Sequence, residues 1–343
     1  MHTFVFRPVK KRITIKDIAK ELKIHHSTVS RALRNDPRVN EKTRDVVLTY
    51  ARQHEYQTNM NAVQLRGSSN NAIALIVPNI NHNFFSDIIS QLTDLAYKKG
   101  YVISVFQSNE KYQQEKEIVN TIIKHNFAGV IVSIAKDTTN SDHFLLLRKF
   151  GISLVFFDRV CNDILAPKVL VNNFEITSTA VECLINKEYK RIAHLTGVQN
   201  INVFHDREQG YRYALDKHKV EYINSMIIDD FSIETGKSIF TQLYSQIEKP
   251  DAIISSSIHL TMGIILQARA YGISIPTDLG LITFGTLLSS AIIQPQITSI
   301  EQPENEIANI AFELLENLIT GNLNVSESVE REVKANIIFR ESC

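Results

Sequence analysis

Short apolar runs alternate with amphipathic stretches from residue 72 onward, and this alternation limits the possible folds more than any other feature. AIALIVP, YVISVFQS, AGVIVSI and ISLVFFD come first, and RIAHLTG, SMIID, DAIIS and GLITFG follow after residue 190. Runs rich in Val and Ile between helices are typical of parallel sheets built from right-handed crossovers. Two such sets of runs predict an α/β domain with two lobes.

The helices between these runs follow from the spacing of apolar residues. They are predicted at about 84–99, 110–126, 144–150, 175–187, 206–219, 233–247, 258–271 and 304–320. KVLVNN is predicted as a bridging strand, and a closing strand is expected near 330–340.

The stretch from Thr14 to Leu33 has a different pattern and predicts two short helices joined by a tight turn. Thr14 and Asp17 match a capping box that starts the first helix. Apolar residues then lie on one face of each helix, namely Ile18, Ala19, Leu22, Val29, Ala32 and Leu33. The outward face of the second helix is predicted to hold His26, Ser27, Thr28, Ser30 and Arg31. This composition is typical of a helix in a DNA major groove, although an ordinary surface hairpin also has a polar outer face.

A third helix is expected after Asn40, which is a suitable N-cap residue. Its apolar positions at helical spacing are Val46, Val47, Tyr50 and Ala51. The polar stretch QTNMNAVQLRGSSNN then indicates a linker. The predicted organisation is therefore a flexible arm (1–13), an all-α head (14–57), a linker (58–71) and an α/β domain (72–343).

The charge is unevenly distributed along a chain whose formal net charge is zero. Residues 1–66 contain 14 Lys/Arg and 6 Asp/Glu, a net charge of +8, so the remainder carries −8. A basic head on an acidic body suits a protein that touches a polyanion with one end.

Several classes of protein lack their sequence signals here. The three cysteines form no CxxC pair and indicate a reduced compartment, and no apolar run approaches membrane length. The motifs GxxxxGK[ST], GxGxxG, GxSxG and HExxH are absent. The sequence therefore predicts a cytoplasmic protein that is not an enzyme and that needs no metal or cofactor.

The head resembles the lactose-repressor family of bacterial transcriptional regulators, whose members read T-I-x-D-V-A, then a turn, then T-V-S-R-x-L. This chain keeps Thr14, Ile15, Asp17, Ala19, Thr28, Val29, Ser30, Arg31 and Leu33. The resemblance implies a helix–turn–helix that binds double-stranded operator DNA. His26, Ser27 and Arg31 are the expected base contacts, and Thr14, Thr28 and Ser30 are the expected phosphate contacts.

The resemblance also assigns a role to the linker. In this family the linker is a hinge helix that enters the minor groove on operator DNA, with a Leu as a wedge between base steps. Asn59, Ala62 and Leu65 match that helix. A plain flexible tether is the alternative.

The α/β domain resembles the family's periplasmic-binding-protein-like effector domain, which has two lobes and three chain crossings. The resemblance implies a first lobe of about 72–158 and 290–320, and a second of about 160–287 and 323–340. It also implies a homodimer on a pseudo-palindromic operator.

The expected effector contacts follow the strands, because ligands of open α/β sheets bind at the carboxyl ends of strands. VPNINHNFF resembles the family's V-P-D-x-x-N-P-F-F, and REQGY matches R-x-x-G-Y, whose Arg holds a carboxylate, a phosphate or sugar hydroxyls. The predicted contacts are Asn79, His82, Asn83, Phe84, Asp158, Arg207, Ser257 and Phe284. Surface or inter-lobe ion pairs are the alternative for Asp158 and Arg207.

Several departures from the family pattern concern these sites. Lys23 replaces the usual Gly of the turn, and His25 replaces the usual Ser cap. In the body, Ser257-Ile258 stands for Asn-Asp, and Thr283-Phe284-Gly285 stands for Gly-Phe-Asp, so two polar groups typical of sugar binding are missing.

Together these features predict a ligand-responsive transcriptional regulator, with a sugar or sugar derivative as the expected effector. A cytoplasmic sugar-binding protein without a regulatory role is the main alternative, but it would not need the basic head. A nonspecific architectural DNA binder is the third alternative, and it would not need the acidic body.

Overall fold

The chain divides into two units, Met1–Ser69 and Asn70–Cys343. In this computed structural model the described residues are 13–54, 56, 71–223, 225–285, 293–324 and 329–343. Within them, no helix is both long enough and apolar enough to cross a membrane.

The helices of the two units agree closely with the predicted ones. In the first unit they are α1 (Ile15–Glu21), α2 (His26–Leu33) and α3 (Glu41–Gln53). In the second they are α4 (Asn83–Lys98), α5 (Tyr112–Lys124), α6 (Asp142–Lys149), α7 (Asn173–Asn186), α8 (Asn202–His218), α9 (Ile233–Tyr244), α10 (Ile258–Ala270) and α11 (Glu304–Thr320).

The strands of the second unit also follow the predicted apolar runs. They are β1 (Ala72–Val77), β2 (Val102–Gln107), β3 (Gly129–Val132), β4 (Ser153–Phe157), β5 (Lys168–Val171), β6 (Ile192–Thr196), β7 (Met226–Ile227), β8 (Ala252–Ser255), β9 (Gly280–Phe284), β10 (Thr298–Glu301), β11 (Glu330–Val333) and β12 (Asn336–Ile338).

The head is held together by a small core between three capped helices. The predicted capping box is confirmed, because Thr14 accepts a hydrogen bond from the backbone of Asp17 and the Asp17 carboxylate accepts one from Thr14. Asn40 caps α3 as expected, by accepting from the N–H of Thr43 at 2.8 Å. The buried core consists of Ile18, Ala19, Val29, Ala32, Val39, Val47 and Ala51. Val46, which the spacing had placed with this group, is instead 54% exposed.

The second unit contains two six-stranded sheets, which confirms the predicted α/β fold. The first sheet has the order β11-β5-β4-β3-β1-β2 and is parallel throughout. The second has the order β12-β10-β9-β8-β6-β7, in which only the edge strand β12 is antiparallel to its neighbour. Central strands such as β1 and β8 are almost wholly buried, as expected for parallel strands covered by helices on both faces.

The chain passes between the two sheets three times, and these crossings differ from the predicted lobe boundaries. β5 belongs to the first sheet, so the first crossing follows Val171 rather than Asp158. β10 belongs to the second sheet, and α11 then returns to pack on β4 of the first. β11 is in the first sheet and β12 in the second, so the segment predicted as one closing strand crosses once more. An apolar run does not specify its sheet, because membership depends on which edge is free to accept its backbone hydrogen bonds.

Two glycines allow α9 and α10 to cross at close range in the second lobe. A Cβ atom added to Gly263 would lie 2.1 Å from the carbonyl oxygen of Ile233. One added to Gly236 would lie 2.2 Å from the carbonyl oxygen of Leu260. Both contacts are with backbone, which cannot move aside as a flexible side chain can.

Gly263→Ala is therefore expected to destabilise the protein by about 1–3 kcal/mol or more through overpacking. This loss should exceed the gain of about 1 kcal/mol that Ala brings inside a helix. Thermal unfolding of the purified chain measures the effect. Leu266→Ala, at a 47% exposed position of the same helix, is the control and should change the stability far less. Equal melting temperatures for the wild type and Gly263→Ala would contradict the close crossing.

Candidate functional site

The outer face of α2 is the first candidate site. His26 and Arg31 are exposed, and Ser27 and Thr28 are half-buried. Ser30 is only 8% exposed, so the prediction that it lies on the outward face is wrong. It lies beside Val29 at the inner margin of the helix, which removes it from the surface that a phosphate could reach.

The tight turn before α2 forms although Lys23 and His25 replace the usual Gly and Ser. Lys23 adopts a φ of 51°, the left-handed conformation that usually selects Gly. His25 caps α2 with its ring, because Nδ1 accepts from the N–H of Ser27 at 3.3 Å and lies 2.8 Å from the Ser27 hydroxyl. A histidine therefore replaces the usual Ser cap, and it also orients Ser27 on the outer face.

The structure gives less information about the other residues that were expected to contact DNA. The Thr14 hydroxyl donates to the Asp17 carboxylate at 2.6 Å, so its role in the structure is to cap α1. The hinge residues Asn59, Ala62 and Leu65 lie outside the described residues.

The second candidate site is a cleft of about 660 Å³ between the two sheets of the second unit. Its walls come from loops that follow the carboxyl ends of strands in both lobes, as expected for open parallel sheets. The lining residues are Asn79, Asn81, His82, Phe85, Asn109, Glu110, Lys111, Lys136, Asp137, Arg159, Phe204, Asp229, Asp230, Phe231, Ser232, Ser256, Ser257 and His259.

Three of the eight predicted effector residues line this cleft, namely Asn79, His82 and Ser257. Phe84 and its neighbour Phe85 are both buried in the apolar core, and of the two it is Phe85 that lines the cleft. Successive residues of a helix point about 100° apart, so the loop pattern could not decide between the two rings. Asn83 is half-buried at the first position of α4 and is not among the lining residues.

Arg207, Asp158 and Phe284 are buried behind the lining residues. The Arg207 guanidinium lies 3.5 Å from the centre of the Phe284 ring, and its Nε donates to Asn173 Oδ1 at 2.9 Å. Burial lowers the pKa of Arg207 to about 9, and the nearby Asp158 carboxylate opposes this shift. Burial also raises the pKa of Asp158, against the opposing effect of Arg159 and Arg207. Arg207 and Asp158 are therefore polar groups that lie beside the cleft and are shielded from water. Their contact with a ligand stays a prediction.

The most extensive ion pair of the cleft was not predicted from the sequence. Arg159 donates from Nη1 to both oxygens of Glu110 at 3.0 and 2.8 Å. Its guanidinium also lies 5.5 Å from the centre of the Phe204 ring, which belongs to the other lobe. Arg159 immediately follows Asp158, but no motif distinguishes it, because its partners come from distant parts of the chain.

Further polar contacts join the two lobes at the edge of the cleft. Lys136 Nζ lies 2.6 Å from Asp229 Oδ1, and the Lys136 carbonyl accepts from Asn200 at 3.1 Å. Asn202 donates to the carbonyl of Asp158 at 2.9 Å and accepts from the N–H of Val160 at 3.1 Å. A change in the angle between the lobes must therefore break or rearrange specific hydrogen bonds.

His82 has an unusual position among the cleft residues. It is the N-cap of α4 but makes no side-chain capping hydrogen bond, and its buried Nδ1 has no partner among the described residues. Burial, together with Arg159, His259 and Arg207, lowers the pKa of His82 to about 4. The imidazole is therefore neutral at physiological pH.

The left-handed turn generates a stability prediction for the head. Lys23→Gly should stabilise α1 and α2 by up to about 1 kcal/mol, because Gly adopts a positive φ without steric cost. Hydrogen exchange of the amides of these helices in the full chain measures the effect. Lys20→Gly, within α1, is the matched control and should destabilise them by about 1 kcal/mol. A loss of protection in both variants would contradict the strain at Lys23.

Comparisons with known proteins agree with this architecture. The model of bacterial regulatory proteins of the lacI family matches residues 14–59, and the periplasmic binding protein-like domain matches residues 181–343. The HTH-type transcriptional repressor CytR of Escherichia coli (strain K12) is 28% identical over 309 residues, which cover 90% of this chain and 90% of that protein.

Two solved structures share the fold over almost the whole chain. The lac repressor dimer bound to operator and the anti-inducer ONPF aligns with a TM-score of 0.84 and 18% identity, over 97% of this chain and 99% of that one. The complex of the transcriptional regulator CelR with cellobiose aligns with a TM-score of 0.72 and 21% identity, over 97% and 100%. The chain thus combines a helix–turn–helix head that matches the lacI family of bacterial regulatory proteins with a two-lobed domain that matches the periplasmic binding protein-like domain.

Proposed function

We propose that this protein is a transcriptional repressor that binds a pseudo-palindromic operator as a homodimer and responds to a small molecule, a sugar or sugar derivative, in the cleft. The observation that carries the proposal is the combination, in one chain, of a capped helix–turn–helix and a polar cleft between two lobes. A sugar-binding protein without a regulatory role would not need the helix–turn–helix, and an architectural DNA binder would not need the polar cleft.

The exposed face of α2 reads the operator in this proposal. Arg31 is exposed near the end of the helix, and its guanidinium has the fork of donors that pairs with guanine in the major groove. His26 and Ser27 contact neighbouring bases, and Thr14 and Thr28 contact phosphates. Ser30 is left out because it is buried. Asn59, Ala62 and Leu65 follow as the minor-groove hinge, with Leu65 as the wedge.

The dimer and the effector class rest on the related proteins. The lac repressor structure contains a dimer on its operator, and a two-fold symmetric protein requires a site of matching symmetry. The CelR complex contains cellobiose. The name of the CytR relative supports repression as the outcome.

The lobe-bridging contacts provide a means of coupling the cleft to the DNA. A ligand that contacts both lobes can bind one arrangement of the lobes more tightly than another. The difference between these two affinities sets how far the ligand shifts the equilibrium between the arrangements. Lys136, Asn200 and Asn202 bridge the lobes, so their hydrogen bonds must differ between those arrangements.

Arg31→Ala should lower the preference for operator over random DNA by about 1–3 kcal/mol, because one bidentate base contact is lost. Operators selected from a random DNA library by the wild-type protein provide the substrate, and fluorescence anisotropy measures both affinities. Arg38→Ala is the matched control, since Arg38 is paired with Asp36 outside α2. An unchanged preference in Arg31→Ala would exclude Arg31 from base readout.

Arg207→Ala should abolish the response of operator binding to the effector while leaving the operator affinity of the ligand-free protein intact. Candidate sugars are screened by thermal shift, since a ligand that binds only the folded state raises its stability. Arg212→Ala on the same helix is the control, because that side chain is half exposed and pairs with Glu208. If Arg207→Ala keeps the full response, Arg207 is only a structural residue.

A further inference from the structure

Charged groups are unevenly distributed along the cleft. Four carboxylates line it, and each already has a partner within the protein. Glu110 pairs with Arg159, Asp229 pairs with Lys136, Asp137 accepts from the N–H of Tyr112, and Asp230 accepts from the hydroxyls of Ser232 and Thr235.

The end of the cleft around His82 has the opposite character. The ring of His259, from the other lobe, lies 6.5 Å from the His82 ring between centroids. The charged and titratable groups that act on His82 are Arg159, His259 and Arg207, with no carboxylate among them. We call the group formed by His82, Ser256, His259 and the first turn of α4 the donor corner.

Two buried polar atoms in the donor corner have no hydrogen-bond partner among the described residues. Ser256 is 8% exposed and lines the cleft, and its Oγ is unpartnered, as is Nδ1 of His82. A buried polar atom without a hydrogen-bond partner is unfavourable, so such atoms indicate a ligand that supplies the missing partner.

The start of α4 adds backbone donors and the positive end of a helix dipole. The helix has 16 residues, and its N-cap side chain makes no capping bond. Its first N–H groups are of the kind that bind anions at helix N-termini. The lactose-repressor family pattern has Asp and Pro where this chain has Asn79 and Asn83. The chain therefore lacks a carboxylate at the first position and gains an N–H at the second.

We infer that the effector carries an anionic group, a carboxylate or a phosphate, which binds in the donor corner to His82, Ser256 and the first turn of α4. This inference rests on the proposed function and narrows its effector to an acidic sugar or a sugar phosphate. The anion accepts hydrogen bonds from the Ser256 hydroxyl and from His82, and binding favours the imidazolium form of His82.

A proton linkage follows with a definite sign. The pKa of His82 is about 4 in the ligand-free protein, and an adjacent anion raises it. Binding therefore takes up protons at any pH between the free and bound pKa values. In that window affinity increases as the pH falls, by up to about tenfold per pH unit.

The decisive test uses simple anions as probes on the full chain with isotope-labelled histidine side chains. NMR titration follows the His82 resonance, which is assigned as the one missing in His82→Gln. The pKa of His82 should rise by at least about one unit with inorganic phosphate, with acetate, or with both. A rise with phosphate alone indicates a phosphate ester, and a rise with acetate alone indicates a carboxylate. His218, on the surface of α8, is the control and should not respond. If neither anion moves the His82 resonance, the inference is wrong.

Matched sugars provide the second test. Calorimetry measures the binding of glucose, glucuronate and glucose 6-phosphate, and of the corresponding galactose and mannose sets. Each sugar is titrated into the wild type, His82→Gln and Ser256→Ala. At least one anionic member should bind about tenfold more tightly than its neutral counterpart, and both variants should reduce that preference. Their melting temperatures without ligand show whether they are folded.

The two proposals fail in different ways. A neutral sugar that binds as tightly as its acidic counterparts and alters operator binding would overturn the anionic effector but support the proposed function. Failure to bind any operator would overturn the proposed function, whereas the His82 titration would still decide the inference about the donor corner.

Discussion

Asn172 connects two of the three chain crossings between the sheets, and the geometry of the cleft depends on that connection. Its N–H donates to the carbonyl of Val333 at 3.2 Å, and its Oδ1 accepts from the N–H of Ala335 at 2.9 Å. The first and third crossings are thereby held side by side. Because both sheets are parallel apart from one edge strand, the loops at their carboxyl ends then face each other across one cleft.

The cleft can hold buried cations because each has a specific compensating contact. Arg207 stacks on Phe284 and donates to Asn173, and Arg159 forms a double hydrogen bond with Glu110. Burying a charge without such partners would cost several kcal/mol. The unpartnered Nδ1 of His82 and Oγ of Ser256 in the same region therefore stand out, since these two cations are compensated.

Local patterns predicted the parts of the structure whose physics is local. The capping box of Thr14 and Asp17 and the Asn40 cap of α3 depend on residues within a few positions of each other. Apolar periodicity placed the helices and strands of the α/β domain for the same reason. Ser30 shows where this reasoning fails, because the margin between the buried and exposed faces of a short helix depends on how closely its neighbours pack.

The sequence by itself determined the two-part organisation, the helix–turn–helix and the loops that lead to the cleft, since capping and periodicity act over short distances. Only the tertiary structure decided which sheet takes β5, β10 and β11, because strand pairing depends on which edge is free. Only the fold brought Glu110 to Arg159 and His82 close to His259. The partners in these pairs come from separate parts of the chain, so no local pattern could join them.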